Sequence, residues 1–379
     1  MRIVGQHDAL TRAQCHRMRE WAHVATGSAV RRRTRRLGWT TVLLVVLGAM
    51  GAPTASALEP RTTRATRATC RLAAADSAWI ATALDGWQRL NARTLHAPPT
   101  RFPILVLFDS LCSHTLPPAR RPEVDVAFVG AGQAFAVRSV EHGGTIRLPD
   151  GDSLPAQLIS ITSRLPNGDM FLVMSLPGIW RSSGRASPHD VLASAVFQHE
   201  FAHTQSASLG SRIDALIRRG LPAQVDDDVI QKRFDSLPEF QSAYAAERDL
   251  LFAAASAPDR ARAIDLARRA LAAIDRRRAR FFRGPNAIYA DAEDVFLSME
   301  GTGQWSAYLW LVDPDGGAMP MAQALPFIRR GGRRWSQDEG LALLLVLSRL
   351  APLAPRELFA PSATTVLPLL RRALGQRRS

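Results

Sequence analysis

One helix constrains this chain more than any other segment. Ser187 offers an N-cap, Pro188 takes the first helical position, Asp190 follows three residues after the cap and Gly210 stands just past the end. The pattern therefore predicts a helix over 188–209. Leu192, Ala195, Val196, His199, Ala202 and His203 recur along it with helical period, which turns two histidines toward a core. His199 and His203 lie four residues apart, one turn along the same face, where two imidazoles can share one metal ion. Without an ion they need hydrogen bonds, because an unpaired buried polar group costs about 1–3 kcal/mol.

The run His199-Glu200-Phe201-Ala202-His203 resembles the motif of the zincin zinc metallopeptidases. That resemblance implies an upper lobe with a twisted sheet and the motif helix, a lower helical lobe and a cleft between them. It also implies Zn²⁺ held by His199 and His203, Glu200 as the general base that takes a proton from the attacking water, and a peptide or protein substrate. The longer form of the motif with a third histidine is absent, since Ser206 and Leu209 occupy the places of its glycine and histidine. A downstream carboxylate is then implied as third ligand, the gluzincin-like solution.

Three glutamates compete for that role. Glu300 shares a helical face with Phe296, Leu297, Gln304, Ala307, Tyr308 and Leu311, so its carboxylate is expected to be buried and in need of a partner. Glu300-Gly301-Thr302-Gly303 looks like the Glu-Gly-x-Ala region of some zinc aminopeptidases, with Gly303 where alanine is usual. Glu300 is the expected ligand and Glu247 the alternative. Glu247 lies in a similar stripe with Phe240, Tyr244 and Leu251, and its competing role is a buried ion pair with an arginine. Glu339 closes a capping box that begins at Ser336. Tyr308 is the expected oxyanion donor with Tyr244 behind it, and Asp249 and Glu293 are candidates to orient the ligands.

The flanking sequence predicts an α+β, zincin-like fold: residues 58–187 as a mixed sheet with helices, residues 188–379 as a helical part opened by the motif helix. Strands are expected at 103–108, 124–129, 133–140, 145–148, 158–163 and 170–176, with the last an edge strand placed to pair with an extended substrate. Helices are expected over 71–91, from Ser236 to Ala257, from a Ser256–Asp259 cap to Arg283, up to Val312, and after Ser336.

Residues 1–57 read as a signal peptide. Arg31 to Arg36 precede the apolar centre Val42 to Leu47, and Ala55-Ser56-Ala57 supplies small residues for cleavage after Ala57. The leader carries nine arginines against Asp8 and Glu20, half of the net charge of +14, and the later arginine pairs are scattered without interleaved aromatics. This pattern argues for a solvated surface and against a nucleic-acid partner. No later apolar run spans a bilayer, so the mature chain is expected to be soluble, periplasmic or secreted, without stable membrane insertion. Cleavage removes Cys15 and leaves Cys70 and Cys112 as an expected disulfide. These features together point to an exported zinc metallopeptidase. The rivals are a non-catalytic zincin-like binding or assembly protein, and a binding protein whose histidines are structural.

Overall fold

Ile104-Leu-Val-Leu-Phe108 and Met170-Phe-Leu-Val-Met-Ser175 are continuous apolar runs of strand length, a pattern that suits strands covered on both faces. In the computed structural model they lie side by side and parallel at the heart of a sheet. The structure describes residues 40–43, 70–119, 128–183, 189–222, 225–329, 333–361 and 364–375. Its strands are β1 (Thr40–Leu43), β2 (Ile104–Phe108), β3 (Cys112–Leu116), β4 (Phe128–Gly130), β5 (Gln133–Phe135), β6 (Arg138–Glu141), β7 (Thr145–Arg147), β8 (Ser153–Pro155), β9 (Ser160–Arg164) and β10 (Met170–Ser175). The main sheet runs β1-β9-β10-β2-β3-β6, antiparallel except between β10 and β2, and β4–β5 and β7–β8 form separate ribbons.

Side-chain alternation assigns the two faces. Leu105, Leu107, Leu172 and Met174 pack with Ile80, Leu84 and Trp87 of α1 (Ala74–Leu90) and with Phe197 and Phe201 of the motif helix. Val106, Phe108, Phe171 and Val173 turn the other way and are covered by Ile146 and Leu148 beside the β7–β8 ribbon.

The helices that follow are α2 (Pro177–Ser182), α3 (His189–Gln205), α4 (Ala207–Arg218), α5 (Val229–Phe234), α6 (Pro238–Ala255), α7 (Arg260–Phe281), α8 (Ile288–Val312), α9 (Met321–Arg329), α10 (Trp335–Leu350) and α11 (Val366–Ala373). The main apolar cluster runs from Ile80 to Leu374, so one core serves both the sheet and the later helices, across the 187/188 boundary. Helix α8 is apolar nearly all round and buried along most of its length, as befits a central helix. Its backbone meets that of α10 directly: a Cβ on Gly340 would stand 2.5 Å from the Leu297 carbonyl oxygen, and one on Gly301 would stand 2.8 Å from that of Gly340. Only glycine allows this approach, which offsets the roughly 1 kcal/mol that each mid-helix glycine costs.

Several expectations are corrected. Met170–Ser175 is interior to the sheet and not an edge strand, because its backbone pairs with β9 along one edge and with β2 along the other. The motif helix ends at Gln205, where the Ser206 hydroxyl bonds back to the Ala202 carbonyl at 3.1 Å; Gly210 lies inside α4. Ser187 and Pro188 fall outside the described residues. Helix α10 begins at Trp335, so Ser336 is inside it and donates to the Asp227 carbonyl at 2.7 Å, and no capping box forms with Glu339. The cap of α7 is Asp259 alone, accepting from the Arg262 N–H at 2.8 Å. The segment expected at 133–140 divides into β5 and β6, while β3 and β8 were not expected.

Of residues 1–57, only Thr40–Leu43 lies within the described residues, and it is a strand along the outer edge of β9. Cys70 and Cys112 form the expected disulfide, their Cα atoms 5.8 Å apart, tying the approach to α1 to strand β3. No helix among the described residues is long and apolar enough to cross a membrane.

Candidate metal centre

Helix α3 is buried from Leu192 to Thr204, more completely than its apolar stripe suggests. Phe197 and Phe201 stack on one another and meet Trp79 and Trp87 of α1. His199 and His203 instead meet α8. Their Nε2 atoms stand 2.9 Å apart, and the Glu300 carboxylate approaches each at 3.4 Å, Oε2 toward His199 and Oε1 toward His203. All three residues are at most 5% exposed. Glu300, the expected third ligand, is thus brought to the pair, and among the described residues these three are the one group of His, Cys, Asp and Glu able to hold a metal ion.

The close approach of His199 depends on Gly303. A Cβ there would stand 2.7 Å from Cε1 and Nδ1 of the imidazole, so glycine at this place lets the ring lie on the helix backbone. We expect Gly303→Ala to displace the ring and weaken metal binding by about 10–100-fold, read by competition with a chromophoric chelator. Affinity equal to wild type would show that the ring need not lie there.

Two amides fix the ligands. The Gln304 Nε2 amide donates to the Ile328 carbonyl at 3.2 Å, which leaves its Oε1 to accept from His199 Nδ1 at 3.0 Å. With the proton on Nδ1, the Nε2 lone pair of His199 faces Glu300 and His203. Gln337 donates to Glu300 Oε2 at 3.1 Å. Burial pushes His203 down to about 4, outweighing the upward pull of Glu300, while His199 adds to the depression; the ring is neutral at pH 7. Burial likewise raises Glu300, against His203 and the Gln337 hydrogen bond.

A metal ion fits this group. Glu300 Oε1 is buried without a hydrogen-bond partner, and an ion would satisfy it. Ligand atoms about 2.0–2.1 Å from a tetrahedral ion stand about 3.3 Å apart, close to the observed separations.

Glu200 projects to the sheet side. Its Oε1 accepts from the Ser160 hydroxyl and its Oε2 from the Thr162 hydroxyl, both at 2.9 Å, and both donors lie on β9. Thr162 also borders a cavity of about 30 Å³ against His203, with Ser163, Arg164, Met170 and Met299 among its walls. That volume has room for about two water molecules.

Other expected residues serve elsewhere. Glu247 accepts from Arg277 at 2.7 Å and Glu293 from Arg277 at 2.9 Å and Arg278 at 2.7 Å, so the alternative ligand is the ion-paired carboxylate. Asp249 is exposed beside Arg248. Glu339 is fully buried and raised to about 7 by burial, against the Arg277 charge and with Glu293 adding to the rise. Tyr244 stacks on Trp335, and burial pushes its hydroxyl well above the ordinary value, with the Glu339 charge adding to the rise. Tyr308 lies in the main apolar cluster, about 12 Å along α8 from Glu300. Among the described residues, neither tyrosine makes a hydrogen bond to His199, His203 or Glu300. Ser160, Thr162, Gln304 and Gln337 were not given roles from sequence; the signal for the first two is a pair of polar residues on one face of a buried strand.

No protein-family model matches this chain, and no curated protein or solved structure matches it. Fold and site together define a mixed α+β protein with a buried group of two histidines and one glutamate that could bind a metal ion.

Proposed function

We propose that the chain is an exported zinc metallopeptidase of the zincin kind that hydrolyses peptide bonds in a peptide or protein substrate. The observation that carries this reading is the convergence of His199, His203 and Glu300, with Glu200 on the helical position next to the first ligand. Zinc, when bound, would supply a Lewis acid that polarises the scissile carbonyl and acidifies a water molecule. Glu200 holds the transferred proton on its carboxylate and passes it to the leaving amine, while Ser160 and Thr162 keep that carboxylate oriented. Gln304 and Gln337 keep His199 and Glu300 in position. Export rests on the leader pattern and agrees with the disulfide.

The completeness of burial favours a second reading, a non-catalytic metal-bound protein in which the same three ligands serve structure. Elemental mass spectrometry of the chain from Leu58 onward tests the metal. We expect one zinc per chain, lost in Glu300→Ala and kept in Glu247→Gln, whose amide still accepts from Arg277. No zinc after reconstitution would end both metal readings, and fluorogenic peptide libraries separate them.

A further inference from the structure

The three ligands are sealed from solvent, so an ion or substrate needs a route to them. Next to the 30 Å³ cavity at His203 lies a cleft of about 760 Å³, within the size range of small-molecule sites. The cleft lies at the C-terminal end of α3, beside Thr204 and Gln205, and is walled by Phe102, Phe359 and several prolines. Arg164, Met170 and Ala207 line both spaces and so form the partition between them.

Arg164 is the last residue of β9, paired in register with Met170, and its guanidinium crosses to α4. There it donates to the Ser211 hydroxyl at 2.8 Å and to Asp214 Oδ2 at 2.5 Å. Both ends of the ion pair are partly exposed, 31% and 24%. Such pairs contribute only about 0–1 kcal/mol, so this clasp can open at small cost while the core on either side stays packed.

We propose that the 760 Å³ cleft is the access route to the buried centre and that Arg164, clasped to Asp214 and Ser211, is its gate. What the route serves rests on the metal reading; the gate itself does not. Opening the clasp joins the cleft to the cavity at His203 and Thr162, whose hydroxyl bonds the Glu200 carboxylate.

The test labels metal-free protein with diethyl pyrocarbonate and follows each histidine by mass spectrometry. His203 of the wild type is expected to react slowly, and Arg164→Ala and Asp214→Asn are each expected to speed it by at least about tenfold. Labelling of exposed His96 and the melting temperature are the controls, and Asp214→Asn stands in if Arg164→Ala fails to fold. In zinc-loaded protein the same variants should release the ion to 1,10-phenanthroline faster with unchanged stoichiometry. Unchanged His203 labelling in folded Asp214→Asn overturns the gate. Absence of zinc from every form overturns the metal reading and leaves the labelling to decide the gate.

Discussion

Glu200→Gln protein should bind zinc as the wild type does and lose peptide hydrolysis by at least about a thousandfold. Glutamine has the same shape and can keep both contacts to β9, its oxygen accepting from one hydroxyl and its amide donating to the other. Ser160 and Thr162, each 2.9 Å from the carboxylate, allow this because a hydroxyl serves as donor or acceptor. What glutamine lacks is a site for the proton that must leave the attacking water. Zinc content by elemental mass spectrometry and turnover of a quenched fluorescent peptide library read the two effects separately. Undiminished turnover would remove Glu200 as the base; zinc without turnover in the wild type itself would favour the non-catalytic reading.

Arg277→Met should produce the largest loss of stability, about 3–5 kcal/mol, because it strands buried carboxylates. The Arg277 side chain is fully buried, bonds Glu247 and Glu293, and lies 4.9, 5.2 and 5.5 Å from the ring centroids of Phe240, Tyr244 and Phe282. Glu293 would keep Arg278, but Glu247 would keep no cation. The loss should grow with pH. Burial raises Glu247 well above its ordinary value, with Glu339 adding to the rise and Arg277 opposing it, and raises Glu339 to about 7. A carboxyl raised in the folded state keeps a proton that the unfolded chain gives up, so stability falls as pH climbs from the unfolded value toward the folded one. For Glu339 in the wild type that window is 4.5 to about 7. Without Arg277 it extends upward. Denaturant melts at pH 5 and pH 8 check both points; a loss below about 1 kcal/mol at pH 8 would mean that the carboxylates find other partners.

The parts of this protein that were legible in its sequence are those set by local periodicity. The motif helix, the buried strands at Ile104 and Met170 and the long apolar helix that carries Glu300 each declare themselves through spacing and composition. Glu300 was legible as a candidate ligand because a lone carboxylate on an apolar face needs a partner. Glu247 has the same local pattern, and only the fold reveals that Arg277 reaches it. Strand order is non-local, so the interior position of β10 could not be read from its residues alone. The Ser336–Glu339 spacing misleads for a similar reason: the chain enters α10 earlier, at Trp335, and both side chains turn inward. Strand β3, Cys-Ser-His-Thr-Leu, escaped because its polar residues are largely buried and break the usual alternation.

The contact of Gly301 with Gly340 bears on how the centre comes into being. Glu300 is adjacent in sequence to a backbone crossing with no side chain between the helices, and Gln337, three residues before Gly340, holds its carboxylate from the other helix. Glu300 is thus held by the skeleton of the fold, so on the metal reading its place does not depend on an ion. In zinc fingers the ion and the fold form together. If the centre holds an ion, a chelator should strip it and leave the architecture standing, and the energy of binding would be free to discriminate among ions because little of it goes to ordering the chain.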